Sequence, residues 1–279
     1  MCVSYDVEIP FMNLNNKRNS GFSLLELSVS LAVISIFIAG LLAISAQKTR
    51  QEKQVQLQEK MDMIEVALQE FRKRNGRLPC PANGSTLIAD AGFGLEVATP
   101  GSCPTADDIS GNIAIGVVPV RTLGLADDAI IDPWGGRFTY GVDVRMTCDL
   151  TTTASCPLGD ASFNTYGPAT VLAGGSITVK DGTGADRTTQ AIALVLSHGQ
   201  NGHGAYQLGG ATAAVRKDAG STNTEELDNC NCTSSAAAGT VDAEFSQRIA
   251  GGSGIDNFDD TLRYYLRGNF TTATELMTD

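Results

Sequence analysis

One carboxylate, Glu26, interrupts an otherwise apolar run from Ser20 to Ala46. An ionised acid within a bilayer costs about 2.5–3.5 kcal/mol on insertion scales, so a carboxylate there needs a partner. The positive amino terminus of a neighbouring chain would supply one, in a pairing strengthened by a low-dielectric setting. The surrounding pattern is specific: Lys17 and Arg18 precede Gly21, Phe22 follows it, and Glu26 is the fifth residue counted from Phe22. Other reactive groups are few. His198 and His203 are the only histidines, and Ser197 stands beside the first. No GxSxG, P-loop, HExxH or dinucleotide fingerprint accompanies them. An adjacent Ser-His pair is not a triad, whose members meet through the fold. The expectation is therefore a protein that is not an enzyme.

The apolar run also sets orientation. Lys17 and Arg18 hold the leading residues on the cytoplasmic side and place the chain beyond about residue 46 outside. An ordinary signal peptide, cut near Ala43 or Ser45, would have a shorter core and no acid within it. A plain signal anchor has the right length but gives Glu26 no purpose. Snorkelling from a helix end is the bland account of Glu26.

Cysteine usage fits an oxidising compartment. Apart from Cys2, which precedes the apolar run on its cytoplasmic side, Cys80, Cys103, Cys148, Cys156, Cys230 and Cys232 form an even set suited to disulfides. Local spacing favours Cys80 with Cys103 and Cys148 with Cys156, leaving Cys230 with Cys232, whose small ring is strained. No CxxC occurs, and a zinc site would have only His198 and His203 to add. The formal net charge of −11 excludes a general nucleic-acid binder, which needs a basic face. At 42% hydrophobic and 18% charged, the chain can supply one anchor helix and one compact domain.

The segment from Lys17 through Gly21, Phe22 and Glu26 into the apolar run resembles the cleavage and methylation segment of type IV pilins and type II secretion pseudopilins. This resemblance implies that a prepilin peptidase cuts between Gly21 and Phe22 and methylates Phe22, and that Glu26 serves assembly. The implied partners are that peptidase, other pilin-like subunits and an inner-membrane assembly platform, with the membrane itself and without nucleic acid. The implied location is the bacterial inner membrane, single-pass, with a cytoplasmic amino terminus and a periplasmic domain that joins a pseudopilus or an extracellular pilus.

The elements follow from periodicity. Leu57, Met61, Ile64, Leu68 and Phe71 recur at alternating spacings of four and three, the stripe of an amphipathic helix. Gly76 offers a closing position and Pro79 prevents resumption. A helix from Phe22 to Asn75 would be roughly 80 Å long at 1.5 Å per residue. The stripe suits packing on the chain's own sheet better than a coiled-coil seam. The expected organisation is a cleaved leader over 1–21, a transmembrane or filament-core half-helix over 22–46, an amphipathic half over 47–75 and a periplasmic domain over 76–279. The fold class is α+β and pilin-like, a long helix packed on a mainly antiparallel sheet.

Residues 77–112, rich in Gly, Pro, Asp and Ser, read as a connection with little core material, tethered by Cys80–Cys103. Strand alternation appears in Ile113, Ile115 and Val117, and over a longer span in Phe138, Tyr140, Val142, Val144 and Met146. Ser176–Lys180 and Ala191–Ser197 follow, the latter apolar on both faces and so central. Asp132-Pro133-Trp134-Gly135 makes a tight turn before the longest strand, its indole packing beside the sheet. This turn resembles the segment leading into the first sheet strands of the major type II pseudopilin, and favours a secretion pseudopilus over a minor or major type IV pilin. The glycine-rich residues 197–206 resemble a pseudopilin loop that carries calcium in several members. Calcium wants six to eight oxygen ligands; the weak candidates are Ser197, Asn201 and Asp218, and a metal-free turn, with no cofactor, is the preferred reading. Residues 209–256 read as a long surface excursion. The closing FDDTLRYYLRGNF reads as a short helix capped by Asp259 or Asp260 with Leu262, Tyr265 and Leu266 inward, or alternatively as an edge strand.

Overall fold

The Ser23 hydroxyl accepts the Leu25 amide at 3.2 Å, a local bond suited to a helix start, and no proline follows until Pro79. Helix α1 (Leu24–Asn75) accordingly runs for 52 residues. The computed structural model describes residues 23–96, 103, 108–110, 112–147, 177–209, 213–231, 244–252 and 257–266, with the side chains of 39–46 and 108–110 outside that description. α1 ends as its sequence requires. Gly76 adopts φ +67°, and its amide donates to the Arg72 carbonyl at 2.7 Å.

The chain divides into two compact units, Met1–Gln51 and Glu52–Asp279. In the first, the described part of α1 presents its apolar side chains outward, with Leu24 88%, Ile36 72% and Phe37 69% exposed. Its serines are satisfied within the helix: Ser28 donates to the Leu25 carbonyl, Ser30 to Glu26 and Ser35 to Ala32.

In the second unit the stripe on α1 is buried as expected. Leu57, Met61, Ile64 and Leu68 are fully buried and join one core with Tyr140, Val142, Val195 and Tyr265. The partner is a five-stranded antiparallel sheet of β1 (Asp108–Ser110), β2 (Ile113–Val117), β3 (Thr139–Asp143), β6 (Ala193–Ser197) and β8 (Thr261–Tyr265), in that spatial order. β6 lies inside the sheet and is buried on both faces. Ala193 and Val195 face the core that holds the α1 stripe, while Leu194 and Leu196 join a second core with Ile113, Ile115, Ile177, Val179, Phe245 and Leu262. That second core rests on a smaller sheet in the order β5 (Asp186–Ala191), β4 (Ile177–Asp181), β7 (Glu244–Gln247), in which β4 pairs antiparallel with β5 and parallel with β7. Within the second unit the α+β arrangement is therefore three layers deep, the five-stranded sheet lying between the stripe-bearing part of α1 and the small sheet, and a short helix α2 (Val120–Leu123) stands between β2 and β3 in the chain.

Four local expectations are corrected. The strand through Phe138–Met146 is shorter: the Asp143 carboxylate accepts the Arg145 amide at 3.1 Å, an Asx-type turn that ends β3 and sends Val144–Thr147 into a 3-10 turn. The connection over 77–112 contributes real core, because Leu78, Cys80, Ala82, Phe93 and Cys103 are buried. The excursion over 209–256 contains α3 (Thr224–Cys230) and β7, with Glu226, Asn229, Cys230 and Phe245 buried. The closing segment is the edge strand rather than the helix. Leu262 and Tyr265 enter different cores, as side chains of opposite parity on a strand must, whereas a helix would have put both on one face.

Candidate functional site

Two regions carry the chemistry singled out from sequence. The first is the start of α1. Glu26 occupies the first turn, where the helix's unsatisfied amides favour negative charge, and its side chain is exposed. Gly21 and Phe22 lie outside the described residues. Among the described residues no helix is long and apolar enough to cross a membrane. The apolar sequence continues through residues 39–46, whose side chains are not described.

The second region surrounds the glycine-rich loop after β6. Asp132, buried at the DPWG turn, accepts the Trp134 and Gly136 amides at 2.9 Å each and the Ser197 hydroxyl at 2.6 Å. Burial raises the pKa of its carboxyl, and these donors pull it back. Gly135 takes φ +92° in the same turn, and Trp134 packs half-buried against the core. Ser197 and His198 turn to different partners. While Ser197 donates to Asp132, His198 Nε2 lies 2.9 Å from Thr139 Oγ1. Desolvation lowers His198 to about 3, assisted by the positive charge of Arg216, so the ring is neutral. His203 accepts the Ala219 amide at Nδ1, which puts the proton of its neutral ring on Nε2. Burial lowers its pKa too, against the pull of Asp218, whose carboxylate stands 3.9 Å away. Neither histidine holds Ser197 as a nucleophile.

The calcium candidates are placed as follows. Ser197 is bonded to Asp132, Asp218 accepts the Gly220 amide beside His203, and Asn201 donates through Nδ2 to both Glu226 oxygens at 2.7 and 2.8 Å. Asn201 thereby leads to residues that sequence reasoning passed over. Glu226 from α3 and Asp259 and Asp260 from the segment before β8 bring carboxylate oxygens within 4.8 Å of one another. The Asp259 Oδ2 atom accepts the Asn201 amide at 2.9 Å, and the Asp259 amide donates back to Glu226 at 3.3 Å. Gly199 closes against this group with φ +59°, where a Cβ would stand 2.3 Å from the Asp259 carbonyl oxygen. No spacing in the sequence joins Glu226 to Asp259, since strand pairing in the fold makes that proximity.

The disulfide between Cys80 and Cys103 is formed, with 5.6 Å between Cα atoms. The Cys80 amide donates to Glu96, whose carboxylate also holds Arg77 through two bonds of 2.8 Å. Cys230 is disulfide-bonded as well. Cys148, Cys156 and Cys232 lie outside the described residues.

Comparison with known proteins gives one finding that bears on identity. Residues 16–42 match the family model described as the prokaryotic N-terminal methylation motif. The chain therefore carries the prepilin-type segment of type IV pilins and pseudopilins. No curated protein matches. No solved structure matches either.

Proposed function

We propose that this protein is a pilin-like structural subunit, processed by prepilin peptidase and assembled through its N-terminal helix into a type II secretion pseudopilus. The observation that carries this reading is the methylation motif at residues 16–42, which runs directly into the outward-facing apolar half of α1. Large apolar side chains exposed at successive turns need a lipid or protein cover. In the precursor the bilayer provides it, with residues 22–46 as the single span. In the filament, equivalent helices of neighbouring subunits replace the lipid.

Cleavage after Gly21 frees the Phe22 amine. Glu26, exposed in the first helical turn, pairs with the Phe22 amine of the adjacent subunit as it enters the filament, so neither charge is left alone in apolar surroundings. The second unit is displayed on the periplasmic side, where its disulfides persist. The inner-membrane platform and other pilin-like subunits are its partners. The DPWG turn supports the pseudopilus, and a minor or major type IV pilin is the second reading.

N-terminal sequencing and mass measurement of the membrane-bound protein from its native host test the processing. A chain beginning at methylated Phe22 is expected. A start near Ala46, or an intact leader, would overturn the prepilin reading. Deleting the gene then separates the machines: loss of secreted proteins with surface fibres retained supports the pseudopilus, and the reverse outcome supports the pilus.

A further inference from the structure

We infer that the outer face of α1 and the turn after α2 form a docking groove for a second copy of this chain, which presents Val215 and Lys217 to it. This contact deepens the assembly reading, on which it rests, by naming a surface of the second unit that copies share. The groove has a volume of about 490 Å³. Its apolar lining comes from Met63, Val66, Leu123 and Leu125, and its acids are Glu59, Asp62 and Glu70. Met63 and Val66 are 45% and 54% exposed although the stripe beside them is buried. Asp62 is held by Arg263, whereas the carboxylates of Glu59 and Glu70 have no ion-pair partner among the described residues. Open apolar side chains set among unpaired acids fit a partner that brings an apolar group and a cation together.

The same unit carries such a pair elsewhere. Among its described residues outside α1, Ile249 and Val215 are the large apolar side chains most open to solvent, at 92% and 61%. The cation beside Ile249 is committed, since Arg248 bonds Glu225 at 3.1 Å and lies over the Phe258 ring. Lys217 is exposed, and its ammonium has no ion-pair partner among the described residues. The segment that bears it is fixed in extended form. The Val215 carbonyl accepts the Gln207 amide at 3.0 Å, the Lys217 amide donates to Ala205 at 2.8 Å, and the Lys217 carbonyl accepts the Gly204 amide at 2.9 Å. Two positions apart on such a backbone, Val215 and Lys217 project to one side. Arg216 turns to the other, over the Tyr206 ring at 4.6 Å.

The spacings of groove and projection agree. Val215 and Lys217 stand about 6.6 Å apart at about 3.3 Å per strand residue. In the groove each open apolar residue has an acid four positions away on the helix, Met63 with Glu59 and Val66 with Glu70, at about 5–6 Å between Cβ atoms. An apolar side chain entering beside Met63 or Val66 thus brings the ammonium to the neighbouring carboxylate. Because groove and projection are different surfaces of one unit, the contact is heterologous: a copy whose groove is filled still offers its own Val215 and Lys217. Contacts of that kind extend into open arrays unless their rotation closes a ring, as a filament subunit requires. The backbone bonds at residues 204–217 leave little to be ordered on docking.

The test uses the full chain in membranes of its native host, with a photoreactive benzophenone side chain in place of Val66, irradiated and mapped by mass spectrometry. A covalent dimer joined to a peptide containing Val215 is expected. Glu59→Lys with Glu70→Lys, or Lys217→Glu alone, should lower the yield of that dimer at least about threefold, and all three in one chain should restore at least about half of it. Restoration marks a charge contact between copies, because a residue that only holds the fold is not rescued from the other side. If the probe at position 66 disturbs folding, the same probe in place of Val215, mapped back to the α1 peptide, decides. Cross-links only to another protein or to a different region of the second copy, or a yield indifferent to both reversals, overturn the inference. N-terminal sequencing of the same sample keeps the two readings apart. Chains that begin at methylated Phe22 yet give no such dimer overturn the docking contact alone, and intact leaders overturn the prepilin reading whether or not the dimer forms.

Discussion

Leu24, Ile36 and Phe37 in the first half of α1 face outward, whereas Leu57, Met61, Ile64 and Leu68 in the second half are shut inside a core. Both halves are regular helix, so backbone geometry does not separate them. The distribution of polarity does. In the first half apolar residues occupy nearly every position, and no single face is marked for the chain's own sheet. In the second, charged and amide side chains dominate the outer faces, and one apolar stripe matches the face built by β3, β6 and β8. One helix thus gives its second half to the chain's own core and leaves the described apolar side chains of its first half uncovered.

The largest effect that could break this contrast is on assembly. Glu26→Val should leave cleavage and the melting temperature unchanged while reducing filament incorporation to background, as read by cross-linking in the membrane. Normal assembly by this variant would remove the charge-pairing mechanism. Next comes the buried stripe. Met61→Ala should destabilise the fold by about 2–5 kcal/mol, and Ile36→Ala should stay within about 0.5 kcal/mol, both by denaturant unfolding. Equal losses would mean that the two halves do not differ as described.

The disulfide belongs with the buried half. Replacing Cys80 and Cys103 together by Ala should cost about 3 kcal/mol, from the 23-residue separation it spans, measured by thermal melting. A pH effect should follow from His198. Its folded pKa is lowered to about 3, so between that value and about 6.5 the unfolded chain binds a proton that the native chain refuses. Stability is therefore lost as pH falls through this window, by about 1 kcal/mol between pH 6 and pH 5. His198→Gln should flatten that slope in unfolding curves at the two pH values. The smallest expected effect is at the surface. Arg263 on β8 reaches Asp62 at 2.5 Å, Glu65 at 3.1 Å and Gln58 at 2.9 Å on α1. Because Asp62 is well exposed, Arg263→Ala should cost at most about 1 kcal/mol and less at high salt.

Periodic features were legible before the fold was seen. The α1 stripe, the stop at Gly76 and the doubly buried β6 follow from spacing, because a regular element repeats its environment. The closing strand was legible only as one of two readings, since Leu262 and Tyr265 sit three apart and satisfy a helix as well. The shortened β3 depended on the Asp143 side chain capturing the Arg145 amide, an event that alternation does not register. Of the small sheet, β4 is legible as Ser176–Lys180, while β7 is not, because it lies in a stretch dominated by small residues, with Phe245 as its lone large anchor. The segment around Glu26 was readable because its chemistry is contiguous in the chain. The Glu226, Asp259 and Asp260 cluster was not, because its members come from separate segments that only the fold brings together.

The place of β8 in the five-stranded sheet sets a timetable for folding. α1 precedes every described strand, yet the surface that receives its stripe is incomplete until residues 261–265 have paired with β6. Such pairing is of high contact order and is delayed until nearly all the chain between has been delivered. During that interval Leu57, Met61, Ile64 and Leu68 are uncovered. The proposed anchor therefore confines this vulnerable intermediate to the membrane surface, where a holding chaperone would meet it before another copy could.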